Sequence, residues 1–104
     1  MRLNMTVDTK ISNDSEKVTI SVTGKFDFKL HDAFRGAYSD TNGPGAEYIV
    51  ELSQTDSIDS SALGMLLLLR DHAGGGSSDI TISNASGVVK KALDVANFSK
   101  LFKV

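Results

Sequence analysis

YIVELSQTDSIDSSALGMLLLLRDH, residues 48–72, is the stretch on which the fold turns. Its opening, Tyr48-Ile49-Val50-Glu51-Leu52, is nearly continuous in apolar content and rich in strand formers, which predicts a central strand covered on both faces. From about Ser61 to His72 the apolar residues recur at helical spacing, and Gly74-Gly75-Gly76-Ser77-Ser78 supplies the stop. Between strand and helix lies Ile58-Asp59-Ser60-Ser61, two hydroxyls beside a carboxylate where a polar loop meets the most apolar segment of the chain.

Upstream, Leu3, Met5, Val7 and Ile11 occupy odd positions, and Val18, Ile20 and Val22 alternate with Thr19, Ser21 and Thr23. This is the period of half-buried strands, and Asn13-Asp14-Ser15 provides a turn between them, so a hairpin opens the chain. After Gly24 the period becomes helical through Leu30, Ala33, Phe34, Ala37 and Tyr38, until Thr41-Asn42-Gly43-Pro44-Gly45 breaks it. Downstream, Asp79-Ile80-Thr81-Ile82-Ser83 alternates again. Ser86 is placed to cap a helix carrying Val88, Val89, Ala92, Leu93 and Ala96, ahead of a tail from Phe98 to Val104. The order ββαβαβα predicts an α/β fold in which a mixed sheet with an opening hairpin carries packed helices joined by right-handed crossovers. No repeat or linker divides residues 1–104, so one domain is expected.

Composition narrows the function. The chain has 104 residues, 40% hydrophobic and 23% charged, enough for a sizeable core. Without cysteine there is no disulfide framework, thiolate zinc site or cysteine nucleophile, and a reducing cytoplasmic setting fits. The start, MRLNMTVDTKISND, has no signal-peptide apolar run, and the longest apolar run, Met65–Leu69, is far short of the roughly 20 residues that span a bilayer. A formal charge of −2 gives no global attraction to phosphate backbones. Neither nucleic acid nor membrane is an expected partner.

A helix N-terminus has unpaired N–H groups and the positive end of the helix dipole, so it favours hydroxyls, carboxylates and phosphate. Asp59 or Ser60 can serve simply as the cap, worth about 1 kcal/mol, but a cap does not need both hydroxyls. The helix that follows is over-supplied with leucine. At about 100° per residue, Ala62, Met65, Leu66 and Leu69 share one face, whereas Leu63, Leu67 and Leu68 point elsewhere. Packing on both the sheet and a neighbouring helix accounts for most of them, and the flank near Gly64 and Leu68 is left as a docking surface beside the hydroxyls.

Other chemistries find little support. A serine at a strand-to-helix turn suggests a hydrolase nucleophile, but Ile58 and Ala62 stand where a nucleophile elbow has glycines. His72 lies about 18 Å further along the same helix, and His31 opens a different one. His31-Asp32 and Asp71-His72 read as solvated surface pairs, giving no metal constellation. The glycine-rich loop follows a helix and lacks the P-loop lysine, so it reads as a flexible connector. Lys90, Lys91, Lys100 and Lys103 make the C-terminal region mildly basic, and Met5 and Met65 read as core.

Asp59-Ser60-Ser61-Ala62-Leu63-Gly64, following a Tyr48–Leu52 strand, resembles the signature of STAS domains, the family of bacterial anti-sigma-factor antagonists. Gly24-Lys25-Phe26-Asp27 resembles that family's Gly-x-hydrophobic-Asp turn, and Leu93 to Val104 resembles its last helix and short final strand. Ala62 stands where many members have glycine. The resemblance implies a phosphorylation switch rather than an enzyme, with no cofactor. A partner kinase, often itself the anti-sigma factor, would phosphorylate Ser60, and a metal-dependent PP2C-type serine phosphatase would reverse it. Only the unmodified form would capture its target, an anti-sigma factor or related signalling regulator. Asp27, Asp59, Ser61, Ala62, Gly64 and Leu68 would form the partner-binding surface. A STAS-like module that binds constitutively, without phosphorylation, predicts the same surface.

Overall fold

A computed structural model describes residues 7–14, 16–41 and 43–104. Leu3, Met5, Ser15 and Asn42, given roles above, lie outside the described residues. Strand β1 (Val7–Ile11) pairs antiparallel with β2 (Lys17–Val22), which is the opening hairpin. β4 (Glu47–Glu51) runs parallel to β2 on one side and to β6 (Asp79–Ser83) on the other, giving a mixed sheet in the order β1-β2-β4-β6. The helices are α1 (His31–Tyr38), α2 (Ser60–His72) and α3 (Gly87–Val95). The α/β class and mixed sheet are those expected.

The sheet buries one face, not two. Val18, Ile20, Val22, Tyr48, Val50, Leu52, Ile80 and Ile82 are all buried. Their neighbours Thr19, Ser21, Ile49, Glu51, Thr81 and Ser83 are only half-buried. The register aligns Thr19, Ile49 and Thr81 in one row, so the single apolar residue of the central strand's outer face sits between two threonines. The near-continuous apolar run of residues 48–52 therefore overstated the cover. At the far end of the hairpin Ile11 is 52% exposed, despite its expected inward position.

On the covered face, Ala62, Met65, Leu66 and Leu69 of α2 are buried, which is the set that the helical wheel groups together. From α1 come Phe34 and Tyr38, with Leu30 just before it, and from α3 Val89 and Leu93. Ala33 and Val88, placed on the inner faces by spacing, are exposed. Ser86 stands at the N-cap of α3 without a side-chain cap bond. The connector after α2 is ordered as a 3-10 turn, Gly75–Ser77, after Gly74 takes φ +112°. Phe98 and Phe102 stack in the core, and the final strand shrinks to one parallel bridge between Thr81 and Lys103.

Two strands are additional. β3 (Gly24–Phe26) and β5 (Thr55–Ile58) pair in parallel and prolong the β2/β4 pair beyond Gly24, whose φ of +85° accommodates a register shift. The Thr55 hydroxyl donates to the Val22 carbonyl at 2.7 Å and the Gly24 N–H to the Gln54 carbonyl at 2.9 Å, holding the join. β5 is four polar-rich residues with no apolar alternation, which is why the stretch before Ile58 reads as a loop.

Candidate functional site

Because β3 and β5 are parallel and Phe26 is opposite Ile58, the next residue of each, Asp27 and Asp59, emerges at the same end. The Asp59 N–H donates to the Phe26 carbonyl at 3.3 Å. Each aspartate then starts a helical segment. An Asp27 carboxylate oxygen accepts from the Lys29 N–H at 3.0 Å, capping the 3-10 turn Phe28–Leu30 that leads into α1. An Asp59 oxygen accepts from the Ala62 N–H at 2.9 Å, capping α2. Of the two candidate caps, Asp59 is the one used, so α2 begins at Ser60.

With its cap role taken by Asp59, Ser60 is exposed at the first position of α2, where backbone N–H groups face outward. Ser61 is half-buried. Ala62 does not belong to the surface: it is fully buried, turned into the core one residue after Ser61. Gly64 is exposed, and a Cβ there would meet nothing within 4 Å. Leu68 is 50% exposed. Ser60, Gly64 and Leu68 follow one another at i, i+4 and i+8, so the hydroxyl, a gap and an apolar side chain run down one flank.

The sequence does not anticipate the exposure of Phe28 or the packing of His72. Phe28, in the turn that Asp27 caps, is 67% exposed, with its ring 5.6 Å from that of His31. The contrast with buried Phe26, two residues earlier, becomes visible only once the turn is placed. His72 is not a solvated partner of Asp71. Its ring packs on Tyr38 at 5.0 Å and edge-on to Tyr48 at 6.3 Å, with Nε2 3.3 Å from the Thr41 carbonyl. His31 does keep its surface pairing, 3.4 Å from Asp32.

The chain is similar to a STAS-domain containing protein of Pseudomonas aeruginosa (strain UCBPP-PA14), 47% identical over 93 residues that make up 89% of this chain and 92% of the relative. Among solved structures, it resembles the anti-sigma factor antagonist SpoIIAA in its unphosphorylated form, with TM-score 0.75, 17% identity and cover of 92% and 84% of the two chains. An anti-sigma factor antagonist from Mycobacterium paratuberculosis gives TM-score 0.71 at 15% identity, covering 98% and 87%. At that identity the likeness is one of fold. The family model described as "Mlab, STAS domain" matches residues 9–103, and the chain belongs to the STAS-domain family.

Proposed function

We propose that the chain is an anti-sigma-factor antagonist of a cytoplasmic partner-switching pathway, in which phosphorylation of Ser60 controls capture of the partner. The observation that carries this reading is the exposed Ser60 hydroxyl at the start of α2, released from capping by Asp59 and continuous with the open flank of Gly64 and Leu68. Asp27, Asp59 and Ser61 frame the acceptor. The unmodified surface binds and sequesters an anti-sigma factor that doubles as a serine kinase, or a related signalling regulator, and a PP2C-type phosphatase restores it.

Magnitudes favour control of association over control of folding. Phosphate adds about −1.5 to −2 charges at pH 7. The α2 dipole stabilises it by roughly 0.3–1 kcal/mol, while Asp56, Asp59 and Asp27 oppose it. In a desolvated interface the same charge costs several kcal/mol, and about 3 kcal/mol corresponds to roughly a hundredfold in affinity.

The test compares Ser60→Asp and Ser60→Ala for binding to the cognate regulator, alongside mass spectrometry of the protein from growing and stressed cells. A loss of about a hundredfold for Ser60→Asp, with Ser60→Ala retained and Ser60 occupancy varying between conditions, supports the switch. Equal binding by Ser60→Asp, or an unmodified Ser60 wherever the kinase is expressed, leaves a constitutive binding module in its place.

A further inference from the structure

A groove of about 480 Å³ lies between α1 and α2, lined by His31, Arg35, Tyr38, Ser39, Leu68 and His72. Leu68 joins it to the Ser60 flank. Because α1 and α2 both leave the ends of parallel strands, they run away from Asp27 and Asp59 in the same sense. Leu68 is then about 12 Å along α2 from Ser60 at 1.5 Å per residue, and Arg35 is its counterpart across the groove.

The lining contains a guanidinium and two imidazoles and no carboxylate, in a chain of formal charge −2. Arg35 forms no ion pair among the described residues. Acids flank it without lining it: Asp32 pairs with His31, Asp40 follows Ser39 in the chain, and Asp71 acts on the Tyr38 phenol. Arg35 and Tyr38 line the groove together, and burial pushes the Tyr38 phenol up while Arg35 pulls it down. The groove floor is fixed, because the His72 ring is packed against Tyr38 and tied to Thr41. Within the lining, Arg35, which has no ion pair among the described residues, stands with half-exposed Leu68.

We infer that this groove seats an acidic and apolar segment of the partner protein, with an Asp or Glu side chain on Arg35 and an adjacent aliphatic side chain on Leu68. The inference rests on the docking reading above and adds the chemistry of the segment that docks. Charge complementarity selects the occupant: a basic segment would meet Arg35 unfavourably, whereas an acidic one is drawn to it.

The experiment titrates isotope-labelled protein with two amphipathic helical peptides that differ only in carrying glutamate or lysine beside a leucine, followed by backbone amide shifts. The glutamate peptide is expected to move Arg35, Ser39, Leu68 and His72 saturably and to bind about fivefold tighter than its lysine twin, weakening with salt. Arg35→Glu should invert the preference, and Leu68→Ala should weaken both peptides. Both side chains are exposed, and a dispersed spectrum verifies each variant's fold. Equal binding of the two peptides, or indifference to Arg35→Glu, overturns the inference. So does inorganic phosphate producing the same shifts and displacing the peptide, which would make the groove a small-anion site. The same shifts on raising protein concentration alone would assign it to a second copy of the chain. Ser60→Asp separates this result from the switch: peptide binding that survives Ser60→Asp while regulator binding ignores it sinks the switch only.

Discussion

The Asp59 N–H donates to the Phe26 carbonyl at 3.3 Å, across the ends of two short parallel strands. Through that contact two sequence-distant aspartates become neighbouring helix caps, and Ser60 follows the second directly. The cap role predicts a cost that charge alone does not. Asp59→Ala should lower stability by about 1 kcal/mol, or roughly 4–8 °C in Tm for a domain of this size. Asp59→Asn, which keeps an acceptor for the Ala62 N–H, should lose only a small part of that. Thermal unfolding of both variants decides the matter; equal losses would show that the carboxylate charge, not the cap, holds the start of α2.

The α2 periodicity was legible because burial of Ala62, Met65, Leu66 and Leu69 follows from geometry at 3.6 residues per turn, whatever packs on them. Residues 55–58 were not, since a four-residue polar strand is stabilised by its partner, β3, and by the Thr55 bond to Val22, neither of which leaves a local pattern. For the same reason the distance in sequence between Asp27 and Asp59 hid their adjacency, and only the family likeness suggested it. Ala62 shows the opposite error: motif position drew it to the surface, while its place on the Met65–Leu69 face puts it in the core. His72 was misread because its partners, Tyr38, Thr41 and Tyr48, come from three other segments.

Gly64 gives a prediction that separates stability from binding. It sits inside α2, exposed, with open space where a Cβ would go. Gly64→Ala should therefore raise stability by about 0.5–1 kcal/mol through helix propensity. If the flank from Ser60 to Leu68 is the docking surface, the same methyl should weaken capture of the cognate regulator. Urea unfolding and a binding titration on one preparation read both effects, and a variant that gains stability with undiminished binding would place the partner elsewhere.

Glu51 links β4 to the end of β6. Its carboxylate is held below the ordinary glutamate value of 4.5, first by Ser53 and further by Asn84, whose amide nitrogen lies 2.9 and 3.1 Å from the two oxygens. A depressed folded value means stability contributed above the unfolded value and lost as pH falls through the folded one. Glu51→Gln should be less stable than the parent at pH 7 by under about 1 kcal/mol, because the pair is largely solvated. The gap should close as pH drops below 4.5. Urea unfolding at pH 7 and in acid tests this, and a gap that persists in acid would mean that shape, not charge, is responsible.

Tyr48 is fully buried, yet its hydroxyl is spent on the loop before its own strand: it accepts from the Gly43 N–H at 2.9 Å and lies 2.6 Å from the Thr41 hydroxyl. Tyr48→Phe removes the acceptor but little volume, leaving the Gly43 donor unpaired in a buried site, at an expected cost of about 1–3 kcal/mol. Gly43 is constrained from the other side as well. Its φ is +76°, and a Cβ would come within 2.7 Å of the His72 carbonyl oxygen, a backbone atom that cannot swing away. Gly43→Ala should thus destabilise by at least about 1 kcal/mol from the left-handed backbone alone, with displacement of the α2 end added. Because both changes act on one loop, the double variant should lose less than the sum of the singles. Additive losses in urea unfolding would mean that the Tyr48 hydroxyl and the Gly43 backbone hold the loop independently.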